Sequence, residues 1–164
     1  MNENVKFLGK HRGNGALLDA NLLLVYVVGK TDPRRLADFP HTKQYRDDFP
    51  LLERMVENFF PTIYTTPNVL TEVSNLGKKL GAAFFGTLGK VVSVLEERYC
   101  ASKNAAANPH FLKLGLIDAG LCTMAARHLV ITADLHLYLV LGANNVDAVN
   151  YNHLRPLAWQ GLLS

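Results

Sequence analysis

Short apolar segments that stop at an acid, a proline or an Asx residue alternate with longer segments of helical period, and this alternation restricts the fold more than any other property of the chain. Ala16-Leu17-Leu18 runs directly into Asp19, 62–65 is β-branched and aromatic and reads as a strand, and 128–132 and 147–151 read as further strands. Between them, 22–28 is apolar throughout and reads as a buried helix of a turn or two. Thr31-Asp32-Pro33 reads as a turn or helix start. In 43–59, Leu51, Leu52, Met55, Val56 and Phe59 recur at helical spacing, with Phe60-Pro61 as the stop. Thr66 is a good N-cap and Pro67 suits a first helical turn, after which Val69, Val73, Leu76 and Leu80 share one face.

The remaining stretches complete the pattern. A helix is predicted over 84–99 with Leu88, Val91, Val92 and Leu95 inward, and a loop over the polar, Ala-rich 103–109. Leu114, Ile117, Leu121, Met124 and Ala125 mark another helix, 135–141 a short one, and Asn144-Asn145 a turn before the last strand. Strands separated by helices imply a parallel sheet covered on both faces. The expectation is therefore α/β, a three-layer α/β/α sandwich around a mostly parallel sheet of four to five strands.

At 164 residues, 49% apolar and 19% charged, with no repeat or composition shift, the chain reads as one domain over 1–164. Cys100 and Cys122 are too few for a disulfide framework and form no CxxC pair; Cys122 is expected to be buried. The polar opening Met1-Asn2-Glu3-Asn4 lacks a signal-peptide apolar core, and the longest apolar run, 22–28, falls far short of the roughly 20 residues of a membrane helix. These features lead to the expectation of a cytoplasmic protein with no membrane partner. A net charge of +3 by itself says little about nucleic acid.

Four acids stand out by position. Asp19 ends the first strand and Asp134 follows the third by two residues, so both lie at the carboxyl end of a parallel sheet, where ligand sites form. Glu72 and Asp118 fall beside the apolar faces of their helices, about 75° from the centre of each by the helical rotation. Neither is expected to be fully buried or fully free in water. Each also has a plain structural reading: Asp19 as a cap, Glu72 as a solvated helical acid, Asp118 as a first-turn acid, Asp134 as a turn residue. If the four converge, they repel one another and require protons or cations. Hard oxygen ligands select Mg²⁺ or Mn²⁺, suited to phosphodiester hydrolysis.

Four fragments, in order, resemble PIN domains. Leu17-Leu18-Asp19-Ala20-Asn21-Leu22-Leu23 is similar to the family's opening strand and Asp, with Asn two residues on. Thr66-Pro67-Asn68-Val69-Leu70-Thr71-Glu72 resembles its second acidic position, Leu116-Ile117-Asp118-Ala119-Gly120-Leu121 its third, and Val130-Ile131-Thr132-Ala133-Asp134-Leu135 its fourth. The resemblance implies a metal-dependent endoribonuclease. Asp19, Glu72, Asp118 and Asp134 would be metal ligands or orienters of the attacking water, supported by Asn21 and Thr132. It further implies Mg²⁺ or Mn²⁺, an RNA substrate and, from the family's toxin members, an antitoxin protein as partner and a homodimer. An RNA-processing nuclease remains open, as does an inactive PIN module that binds RNA or a protein.

The chain departs from the small toxin members in two places. An insertion over 31–49, containing Asp32, Arg34, Arg35, Asp47 and Asp48, reads as a lid, a partner surface or an extra turn. After Asp134, His136 stands where many relatives carry another acid. It has no His or Cys partner at zinc spacing, so a structural role is the plainer reading beside a supporting or RNA-facing one. Tyr138 and Tyr151 read as packing residues. Setting four of the 14 Asp and Glu aside leaves the surface basic against 17 Lys and Arg. Lys78, Lys79, Lys90, Arg98 and Lys103 are candidate RNA contacts, or simply solvated helix faces.

Overall fold

The computed structural model describes residues 2–159. In chain order, α1 (Glu3–His11) leads into β1 (Ala16–Leu18), α2 (Ala20–Thr31), α3 (Phe49–Arg54) and β2 (Ile63–Thr65). Then come α4 (Pro67–Gly77), α5 (Gly81–Val92), β3 (Glu96–Glu97), α6 (Ser102–Ala106) and α7 (Phe111–Met124). β4 (Leu129–Thr132), α8 (Leu135–Ala143), β5 (Ala148–Asn150) and α9 (Tyr151–Trp159) complete the order. The five strands form one sheet in the order β3-β2-β1-β4-β5, every pair parallel, between layers of helix. Among the described residues no helix is long and apolar enough to cross a membrane.

The core follows from the sequence pattern. Leu17, Leu18, Leu129, Val130, Ile131 and Val149 are buried on both faces of the sheet, as central parallel strands require. α2 is apolar on every side and buried from Leu22 to Gly29, packed against α4 and α5. Strand connections of this kind are right-handed. β1 to β2 steps one way along the sheet and β4 to β5 the other, so the intervening helices fall on opposite faces.

Several expectations require correction. The predicted helix over 84–99 ends at Val92; its tail turns back and Glu96–Glu97 pairs with Tyr64 and Thr65 as an edge strand, leaving Val92 exposed. Its two Glu residues carry no apolar alternation, so nothing in the local pattern marks them as a strand. The predicted loop 103–109 contains α6, which packs on α7 and buries Ala105 against the bare backbone of Gly120. The predicted helix 43–59 is helical but not continuous. It runs as a 3₁₀ segment Lys43–Asp48, then α3, then a wide π turn Met55–Phe59, because Pro50 can sit only in a first helical turn. Cys122 is half-buried, not buried. The flanking helices α1 and α9 lie outside the predicted elements.

The insertion is clamped down. Thr42 donates to the Leu36 carbonyl at 2.9 Å, the Tyr151 hydroxyl donates to the Asp48 carbonyl at 2.7 Å, and buried Asp48 is ion-paired with Arg155 of α9. Arg155 also donates to the Gln44 carbonyl at 3.0 Å.

One glycine fixes entry into the sheet. Gly15 has φ +79°, and a Cβ there would stand 2.4 Å from the Thr62 carbonyl oxygen. That same oxygen accepts from Ala16 N–H at 3.1 Å, setting the β1–β2 register. Gly15→Ala is expected to destabilise the fold by at least about 1–3 kcal/mol, read by urea denaturation; an unchanged midpoint would show that this turn relaxes freely.

Candidate functional site

The strand order creates a crevice. Chain connections leave β1 and β4 in opposite directions, and the space outside their carboxyl ends is where parallel sheets bind ligands. Asp19 stands there at the end of β1 as the N-cap of α2. Its Oδ1 accepts from Leu22 N–H at 2.8 Å; its Oδ2 accepts from Ala133 N–H at 2.8 Å and from the buried Thr132 hydroxyl. The Thr132 oxygen in turn accepts from Asp134 N–H at 2.9 Å, and Asp134 Oδ1 caps α8 by accepting from Leu137 N–H at 2.9 Å. A carboxylate offers about four acceptor positions. Three of Asp19's are taken, and the remaining one is on Oδ1. Burial pushes the Asp19 carboxyl above its usual range; the bonds from Thr132, Leu22 and Ala133 oppose that, and the Asp134 charge adds to it.

The other two acids reach the same place from helices. Thr66 caps α4 by accepting from Val69 N–H at 3.2 Å, and Val69 and Val73 turn inward. Asn68, Thr71, Glu72 and Asn75, three and four residues apart, then line the cleft. In α7, Gly115 takes φ +75° and breaks the helix, so Asp118 stands in the first turn of the segment that follows. Together Asp19, Glu72, Asp118 and Asp134 line one open cleft of about 580 Å³. They share one field: the half-buried Asp118 carboxyl is pushed up to about 7, first by burial, then by the charges of Asp19, Asp134 and Glu72.

Asn21 lines this cleft, and Thr132 acts through Asp19. His136 lies outside the cleft and lines a neighbouring cavity. Lys78, Lys79, Lys90, Arg98 and Lys103 line neither. Arg98 is occupied elsewhere, pairing with Glu96 at 2.9 Å and lying 4.9 Å above the Tyr64 ring. Sequence reasoning missed Asn68, Thr71 and Asn75. Their signal was a polar stripe on α4 in register with Glu72.

Among the described residues, no three His, Cys, Asp or Glu side chains gather closely enough to hold a metal ion between them. The donors therefore do not form a closed cage. They do suit a hydrated hard cation, since Mg²⁺ takes one or two carboxylates and keeps several waters. The mutual repulsion at Asp118 is relieved by either a proton or a cation in this cleft, and Asp19 keeps one acceptor position open. No protein-family model matches the chain, and neither does any curated protein or solved structure.

The raised Asp118 pKa has a pH consequence. From about pH 4 to about pH 7 the folded state holds a proton that the unfolded chain releases, so stability falls as pH rises through that window and levels off above it. Asp19 shifts in the same direction, so the comparison with Asp118→Asn isolates one group. The variant is expected to gain stability relative to the parent across the window, measured by urea denaturation in EDTA at a series of pH values. Parallel curves would mean that Asp118 titrates normally.

Proposed function

We propose that the chain is a PIN-like, Mg²⁺- or Mn²⁺-dependent endoribonuclease that hydrolyses phosphodiester bonds in RNA. The observation supporting this reading is the convergence of Asp19, Glu72, Asp118 and Asp134, from four separate segments, on one cleft at the carboxyl ends of β1 and β4. The four fragments similar to PIN domains carry those same acids. The resemblance extends the proposal to a cytoplasmic homodimer with an antitoxin protein as partner.

In this reading Asp19 and Asp134 would hold the cation, and Glu72 would face it from α4. When bound, Mg²⁺ or Mn²⁺ supplies positive charge to the phosphate and lowers the pKa of a nearby water. A carboxylate oxygen of Asp118, which lines the same cleft, would take the proton of the attacking water. Asn21, Asn68 and Asn75 offer amide donors along the cleft to orient phosphate oxygens. Thr132 keeps the Asp19 carboxylate in one orientation.

A second reading, an inactive PIN module binding RNA or a protein, draws on the absence of a closed metal cage among the described residues. Incubation with mixed-sequence single-stranded RNA separates the two. Cleavage is expected with Mn²⁺, abolished by EDTA, and reduced about 10²–10⁴-fold in Asp118→Asn. Asp134→Asn is a second probe, because Asn also caps helices well and the start of α8 survives. Cleavage that persists in both variants would place the activity elsewhere. No cleavage together with no Mn²⁺ binding by calorimetry would favour the binding module.

A further inference from the structure

Beside the acid cleft lies a second cavity of about 440 Å³, within the roughly 300–1,000 Å³ of small-ligand sites. The two share Asn21 and Asp134. Its other walls come from the insertion, with His41, Gln44 and Tyr45, and from the start of α8, with His136. These residues fit no metal group among those described. An anion is disfavoured so close to Asp134 and Asp19. Two imidazole rings and a side-chain amide suit a flat, uncharged group with a hydrogen-bonding edge.

The walls are held in place before any ligand arrives. The His41 ring leans on Phe39, with centroids 5.4 Å apart. Tyr45 is buried against Tyr151 and hydrogen-bonded to Asn152, whose amide also donates to the Ala133 carbonyl at 3.2 Å. Arg155 pins the backbone of Gln44, while its side chain remains exposed to the cavity.

We propose that this cavity holds one nucleobase of an RNA strand, next to the phosphate lying in the acid cleft. His41 and His136 supply stacking surfaces, as aromatic side chains do for unstacked RNA bases. Gln44 reads the base edge; its adjacent donor and acceptor match the N6 and N7 of adenine, so adenine is favoured. The insertion is thus a specificity wall. The proposal rests on the nuclease reading for its substrate, but its test does not.

Uncharged nucleosides need neither metal nor cleavage. Adenosine, uridine and ribose, each at millimolar concentration, are titrated into the metal-free protein and followed by ¹H–¹⁵N NMR. Adenosine is expected to shift amides of 41–45 and 133–137, uridine to do so more weakly, and ribose not at all. His41→Ala should weaken adenosine binding roughly tenfold, and His41→Phe should restore it. Gln44→Ala should erase the preference over uridine. Both positions are exposed, so these variants keep the fold. Equal shifts with ribose, or shifts elsewhere, would overturn the base site even if RNA is cut. Adenosine binding with neither RNA cleavage nor Mn²⁺ binding would remove the nuclease reading and leave the base site standing.

Discussion

The buried carboxylate of Asp19 is the constraint on which the rest depends. It sits at the end of β1, yet two of its three donors belong to the end of β4, so it ties these neighbouring strands together at the point where the strand order reverses. Desolvation opposes an ion there and prevails, and the Thr132, Leu22 and Ala133 donors together with the start of α2 offset it in part. The same bonds leave one acceptor position open on Oδ1. Fold and site thus share one group. Asp19 and Asp134 both act as helix caps and both face the same cleft.

Much of the architecture was legible because it rests on local signals. β1, β2, β4 and β5 are short apolar runs with clear stops, and Thr66-Pro67 marks the start of α4 to the residue. β3 was illegible because its two Glu residues are strand only by pairing with β2 at the sheet edge, a tertiary fact. α6 was illegible because its stability comes from packing on α7, not from its own short, weakly patterned sequence. Within the site, the positions of Asp19 and Asp134 follow from strand ends, and the half-burial of Glu72 and Asp118 from the helical wheel. What the sequence could not supply was strand order. Only the order places β1 beside β4 and brings Asn68, Thr71 and Asn75 into one cleft with the acids.

The segment 31–49 shows how contacts from distant parts of the chain set the shape of a connection. Its 3₁₀ segments have little internal periodicity, and their conformation is imposed by Thr42, by Tyr45 against Tyr151, and by Asp48 paired with Arg155. With these ties the segment forms a rim beside the acid cleft, where His41, Gln44 and Tyr45 line the second cavity.

The unequal embedding of the four acids shapes how the cleft can change over generations. Asp19 cannot be exchanged without disturbing the junction of β1 and β4, whereas Glu72 and Asp118 are half-buried, and neither, among the described residues, makes a hydrogen bond that holds two strands together. Substitutions at Glu72 or Asp118 would therefore be tolerated by the fold sooner than any at Asp19. Among descendants, a surviving strand-end Asp would report ancestry of the fold, while the helix-borne pair would be free to vary without it.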